Sequence, residues 1–328
     1  MWGVSAKVLE LGVIGSDDRA AALVERLGNE SPFTLGPVQL AAPAREQTVN
    51  AVFVGGAPSG RAAAAAAALG AGRSVLCPMP CALTEAELDQ LERTCEGTPE
   101  PGLLYTPTDL RHMAAVGHAL DAMAGGGIGP GLHAYVGYRT RVGAAAGGER
   151  QVGSSVLEDP IWHVLDFALG CTPAPMARVH AAGGRLFGGG VGTGGLAGET
   201  RRAAVESMDT LVLTIRFTDD FIVSAEISAC LPADYPSEGP DIDIDIVGRR
   251  GALRVEPGRQ VVTVVGAGGR TSVRDWHPHP VVSMVRTFGD LVNSTAGAEA
   301  RLRHNRSVFS HHRRVLQAMR SVQEALVS

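Results

Sequence analysis

Ala51-Val52-Phe53-Val54-Gly55-Gly56, then Arg61 with the alanine run that leads to Leu69, then Ser74-Val75-Leu76-Cys77, decide the fold. The first piece is an apolar run closed by glycine. The second is helical by propensity, because alanine loses the least side-chain entropy in a helix. The third is an apolar run too short for a helix. Strand, helix and strand in so short a span form a βαβ unit, whose strands lie parallel and whose crossover is right-handed.

The same grammar extends on both sides. Lys7–Gly15 is an apolar run ending at a turn, and Arg19–Leu27 reads as a helix. Thr84-Glu85-Ala86-Glu87 has capping-box form, the threonine and the glutamate three on satisfying each other's backbone donors, so a helix is predicted to about Cys95. Leu103–Tyr105 reads as a further strand and Leu110–Met123 as a further helix. The fold class is therefore α/β, with an N-terminal Rossmann-like, doubly wound parallel sheet over residues 1–128.

Beyond Gly131 the pattern changes. Leu132–Val142 alternates like a strand of a mixed or antiparallel sheet, and Asp159–Leu169 reads as a helix with Asp159 as its cap and Pro160 at the first helical position. Thr210–Phe217, Phe221–Ala229 and Asp241–Val247 are strand-like, the first two joined by a hairpin at Thr218-Asp219-Asp220. Gly251–Glu256 and Gln260–Val265 flank a Pro257-Gly258 turn, and helices over about Val282–Val292 and His304–Val327 close the chain. Residues 129–328 are predicted as a C-terminal α/β domain with a large open, mainly antiparallel sheet, its last helices packing back on the first domain. Residues 183–198 hold nine glycines and read either as a loop near a ligand site or as an insert without fixed structure.

Composition narrows the function. The 328 residues are 45% apolar, enough for a full core in two domains. The net charge is −5, so no basic face for nucleic acid is implied. No run reaches the roughly 18 apolar residues of a membrane span, and Met1-Trp2-Gly3 lacks the basic start of a signal peptide. A cytoplasmic protein is expected. Cys77, Cys81, Cys95, Cys171 and Cys230 have no zinc-type spacing and read as reduced, mostly structural thiols, with no metal. Of 29 basic residues only Lys7 is lysine, which excludes any mechanism that needs a catalytic lysine elsewhere.

Five stretches in order resemble the glucose–fructose oxidoreductase/inositol dehydrogenase/MocA family over nearly the whole chain. They are Leu11–Gly15, Ala51–Val54 with its alanine helix, Ala71–Pro80, Gly153–Asp166 and Val247–Pro257. The resemblance implies a Rossmann domain followed by an α/β domain whose open sheet packs against a second subunit. It also implies hydride transfer between NAD(P) and a sugar, polyol or related alcohol.

The likeness is strongest in scaffold and weakest where chemistry is expected. A dinucleotide loop needs glycines after the first strand, so that backbone approaches the pyrophosphate. The run here is Gly15-Ser16-Asp17, in which a carboxylate takes the second glycine position and serves equally well as a helix cap. The second strand ends without an acid for the ribose; Arg45 is the candidate for an NADP 2′-phosphate or a solvated loop residue. Arg61 stands where the family usually shows a histidine. The family's Glu-Lys-Pro lysine aligns with Met79, whose thioether neither donates a proton nor carries charge.

The family's Asp-x-x-x-His motif persists. Asp159 and His163 lie four apart, on one helical face, with Asp166 one turn further on. The resemblance makes His163 the acid/base group and Asp159 its partner, a carboxylate that orients the imidazole and raises its basicity. The same residues also read as an ordinary cap and a core histidine. Met79, Tyr105, Arg111, Tyr138 and Asp166 complete the candidate pocket, with Arg139 beside Tyr138. Trp276-His277-Pro278-His279 and His311-His312 read as surface or loop residues. Asp241, Asp243 and Asp245 share one sheet face, read as solvated or as a subunit rim in preference to a metal site.

Three readings follow. One is a family relative that keeps the interdomain cleft for a small molecule but runs non-redox acid/base chemistry through His163 and Asp159, with no cofactor. The second is an NAD(P)-dependent dehydrogenase or reductase using His163. The third is a ligand sensor or a partner subunit. A homo-oligomer through the C-terminal sheet is expected, with neither membrane nor nucleic acid as partner.

Overall fold

The computed structural model describes residues 9–14, 33–36, 51–141, 157–185, 208–232, 234–236, 239–266, 269–274, 280–295 and 297–326. In chain order these form β1 (Leu9–Ile14), β2 (Phe33–Gly36), β3 (Ala51–Val54), α1 (Pro58–Gly70), β4 (Ser74–Leu76), α2 (Glu85–Gly97), β5 (Leu104–Tyr105), α3 (Asp109–His112), α4 (Ala114–Ala124) and β6 (Gly131–Arg141). Then come α5 (Glu158–Cys171), β7 (Met176–Gly184), β8 (Thr210–Phe217), β9 (Ile222–Leu231), β10 (Asp241–Gly248), β11 (Gly251–Glu256), β12 (Val261–Gly266), β13 (Gly269–Arg274), α6 (Pro280–Ser294) and α7 (Ala298–Ala325). None of these helices is long and apolar enough to cross a membrane.

The chain divides into two compact units, Met1–His112 with Pro278–Leu316, and Met113–His277 with Gln317–Ser328. In the first, five strands in the order β2-β1-β3-β4-β5 form a sheet in which every described pairing is parallel. Its core joins Leu11, Ala51, Phe53 and Leu76 to Val285 and Phe288 of α6. The alanine run buries Ala62, Ala65 and Ala68, a spacing that puts one narrow face of α1 inward. The predicted capping box is present: Thr84 Oγ1 accepts from Glu87 N at 3.2 Å and Glu87 Oε2 accepts from Thr84 N at 3.1 Å. Gly102 is required by close approach, since a Cβ there would lie 1.8 Å from the Arg73 carbonyl oxygen.

Two sequence expectations are corrected. The single helix over Leu110–Met123 is two, because Met113 is extended (ψ 122°) and α4 restarts from it. His312 is neither surface nor loop. It is fully buried in α7, donates from Nε2 to the Ala82 carbonyl at 2.9 Å and so accepts from the Cys81 thiol at Nδ1, 3.8 Å away. Burial, then nearby Cys77, pushes the Cys81 thiol well above its ordinary range.

One helix of this unit carries a pH response. His304 Nε2 donates to the Leu104 carbonyl at 3.1 Å, and burial lowers its pKa below 6.5. A depressed histidine contributes stability that is present above 6.5 and is lost as pH falls through the folded value. Urea unfolding at pH about 7.5 and about 5.5 is expected to give the lower midpoint in acid, and His304→Gln to reduce that difference.

The second unit holds an eight-stranded sheet in the order β13-β12-β11-β10-β6-β9-β8-β7. All pairings are antiparallel except β6 with β9. The predicted hairpin joins β8 to β9, with Asp220 at φ 66°, and a 3-10 turn at Pro257–Arg259 joins β11 to β12. Helices α4 and α5 contact one face of the sheet. On the opposite face Val212 and Val247 are exposed.

Candidate functional site

In the first unit the carboxyl ends of the parallel strands are the place to look, because ligands of open parallel sheets bind outside them. The loop after β4 is Cys77-Pro78-Met79-Pro80. Arg61 ties it to the loop after β3: Nε donates to the Gly56 carbonyl at 3.0 Å, and Nη1 to the carbonyls of Pro78 and Pro80, each at 3.3 Å. Met79 N also bonds the Pro107 carbonyl at 2.9 Å. Met79 is 2% exposed and Arg61 3%, so the loop is held from inside by a buried guanidinium. The sequence reading saw Arg61 only as a missing histidine; its fork reaches two loops because α1 begins directly behind them.

Tyr105, at the end of β5, stacks on Phe288, and its hydroxyl lies 2.6 Å from His112 Nε2. Arg111, in the same short helix as His112, is exposed. Gly15, Ser16, Asp17 and Arg45 lie outside the described residues, as do Trp276–His279 and, beyond Arg185, the glycine-rich segment.

In the second unit the structure brings three candidates together. Helix α5 begins two residues earlier than the sequence implied: Leu157 is its N-cap, without a side-chain cap bond, so Asp159 is not the cap and lies within the first turn. Pro160 is tolerated in the first turn because an N–H there has no helical acceptor. Asp159 Oδ2 is 4.0 Å from His163 Nε2. Asp159 has a side chain 49% exposed, whereas His163 is 4% exposed. Alternation along β6 turns Ala134, Val136 and Tyr138 inward, and the Tyr138 ring stacks on the imidazole, centroids 5.8 Å apart and planes 16° apart. His163 Nδ1 is buried and meets no hydrogen-bond partner among the described residues. Asp166 is buried one turn along α5.

The sheet face of Val212 and Val247 carries a different arrangement. Arg139 lies over Gly137, where a Cβ would stand 2.8 Å from the guanidinium, and reaches Glu226 at 3.2 Å, Asp243 at 3.0 Å and Asp241 at 3.6 Å. Hydrogen bonding to Arg139 lowers the Glu226 pKa, and burial with the Glu226 charge raises that of Tyr135. Two of the three stripe aspartates, Asp241 and Asp243, are thus paired with an arginine from the next strand, a partner that spacing alone does not reveal. Among the described residues no group of three histidine, cysteine or carboxylate side chains is arranged to hold a metal ion.

Residues 117–254 match the model of the GFO/IDH/MocA C-terminal domain. Over those residues the chain is similar to the C-terminal domain of the Gfo/Idh/MocA family. That match spans α5 and the central strands of the eight-stranded sheet, so it covers His163, Asp159 and Tyr138. Among solved structures, a UDP-N-acetylglucosamine 3-dehydrogenase from Acidithiobacillus ferrooxidans is 16% identical, with TM-score 0.70 over 97% of this chain and 98% of that one. An oxidoreductase from Agrobacterium radiobacter in complex with NAD+, L-tartaric acid and magnesium is 16% identical, with TM-score 0.70 over 96% of each chain. A 3-ketoreductase from Actinomadura kijaniata in complex with TDP-benzene and NADP is 15% identical, with TM-score 0.68 over 97% and 98%. At these identities the likeness is one of fold. Among curated proteins no sequence matches.

Proposed function

We propose that this Gfo/Idh/MocA-like protein binds a sugar-, polyol- or related small molecule and moves a proton on it through His163, assisted by Asp159, without hydride transfer. The observation that carries this reading is the state of His163: buried, yet with no structural hydrogen bond at either ring nitrogen among the described residues. A polar atom enclosed without a partner costs about 1–3 kcal/mol, and such atoms cluster where a protein has work for them. Asp159 stands beside the imidazole, where a carboxylate can orient a general base.

The residues present do not fit lysine-assisted hydride transfer. Met79 stands where the family resemblance puts the lysine, its thioether is buried, and the Arg61 guanidinium beside that loop donates to backbone carbonyls. Elimination, hydration or isomerisation of a sugar-type ligand needs no such lysine.

The test is solvent-deuterium exchange. A panel of keto sugars and keto-nucleotide sugars is incubated in D2O with nicotinamide-free protein, and label uptake is read by mass spectrometry. Exchange that falls roughly 10²–10⁴-fold in His163→Ala is expected. No exchange, together with micromolar binding of NADH or NADPH, overturns the reading in favour of an NAD(P)-dependent dehydrogenase, the cofactor class that two of the similar structures hold.

A second copy of the chain is the partner we propose for the sheet face where Val212 and Val247 stand exposed. Light scattering is expected to give a multiple of the chain mass, and Val247→Arg to reduce it.

A further inference from the structure

We infer that the second copy packs face to face on the eight-stranded sheet about a two-fold axis running along the strands between β6 and β10, which rests on the reading of that copy as the partner and adds its register. On the face that carries Val212 and Val247, β8 presents Arg216 and β9 presents Glu226. Next to them β6 presents Arg139, β10 presents Asp241, Asp243 and Asp245, and β11 presents Arg254. The sign of charge therefore changes at every strand from β8 to β11: basic, acidic, basic, acidic, basic. Glu256, on the same face of β11, is already paired with Arg259 at 3.0 Å. Arg216 and Arg254 are exposed.

A two-fold interface is self-complementary, so the place of the axis decides which strands meet. An axis lying on β6 sets β9 over β10, acid on acid, and one lying on β10 sets β6 over β11, base on base. An axis across the strands sets every strand over its own copy, again like on like. Only an axis in a gap between strands brings opposite signs together, and like charges set against each other are costly. Stacked sheets keep their strands within about 30° of each other, so the match holds along the strands.

The gap between β6 and β10 is the middle of the sheet, with four strands on either side. There β6 lies over β10 of the second copy. In one chain three carboxylates surround Arg139, those of Glu226, Asp241 and Asp243, and this axis brings a second guanidinium to them. It also sets β9 over β11, which turns Glu226 toward the second copy's Arg254. Finally it sets β8 over β12, two strands on which Val212 and Val265 are 51% and 46% exposed.

Sedimentation velocity of the full chain over a range of concentrations reads the dissociation constant. Arg254→Glu sets like charges against Glu226 twice in each dimer and is expected to raise Kd at least about tenfold. Arg216→Glu, over the uncharged outward residues of β12, is expected to change it less than about threefold. Adding Glu226→Gln to the Arg254→Glu chain removes the repulsion and is expected to recover most of the loss, which a merely structural effect of Arg254→Glu would not allow. A larger loss in Arg216→Glu than in Arg254→Glu would overturn this axis in favour of the gap between β9 and β6, where β8 lies over β10. A dimer unmoved by either variant would overturn the charge register and leave the second copy in place. A wild type that stays a single chain at every concentration would overturn the second copy itself.

Discussion

Arg61→Ala is expected to lower the stability of the first unit by about 3–6 kcal/mol, counting each orphaned carbonyl at roughly 1–3 kcal/mol and allowing some relaxation. The guanidinium is the donor to three backbone carbonyls, those of Gly56, Pro78 and Pro80, and it is itself 3% exposed. Two of those acceptors flank Met79 in a loop with few donors of its own, since proline has no N–H. For a unit of this size the loss corresponds to a fall in melting temperature of roughly 6–20 °C. Arg61→Lys should recover only part of it, because one ammonium on a flexible stem does not reproduce a planar fork aimed at two loops. Calorimetry decides: a shift of a degree or two in Arg61→Ala would mean that the loops are held by their other contacts.

The second large effect is expected in Asn305→Ala, at about 2–5 kcal/mol. Asn305 Oδ1 accepts from Leu104 N at 2.8 Å, and its Nδ2 donates to the Gly102 carbonyl at 2.9 Å, both buried. The side chain completes the hydrogen bonds of an edge strand, β5, that is only two residues long. Its Nδ2 also approaches Cys95 Sγ at 3.6 Å, and burial raises that thiol to about 12. A loss of stability confined to fraying of β5, seen as faster hydrogen exchange at Leu104 without a change in global unfolding, would place Asn305 in a local role instead.

Much of this architecture is legible in the chain. The alanine helix between two apolar runs, the Thr84 capping box and the hairpin at Thr218-Asp219-Asp220 depend on neighbours a few residues apart, and local propensity decides them. The same holds for the pairing of Asp159 with His163, which is one turn of helix. It does not hold for their surroundings. Tyr138 is legible in the sequence as a candidate pocket residue, but nothing in its spacing indicates that its ring stacks on an imidazole of a later helix. Arg139 and the aspartate stripe are far apart in sequence, yet β6 and β10 lie side by side and pair the arginine with Asp241 and Asp243. His312 looked like half of an exposed histidine pair, and became a core residue because α7 lies against the loop that starts at Cys81.

What the sequence determined by itself was therefore the alternation of elements, the parallel first sheet and the residue types at the candidate site. Only the tertiary structure decided which side chains are satisfied and which are left over. Arg61 and Asn305 bond backbone groups brought from elsewhere, whereas His163 Nδ1 is enclosed with no hydrogen-bond partner among the described residues. Hydrogen-bond satisfaction is a property of long-range packing, and local pattern carries no record of it.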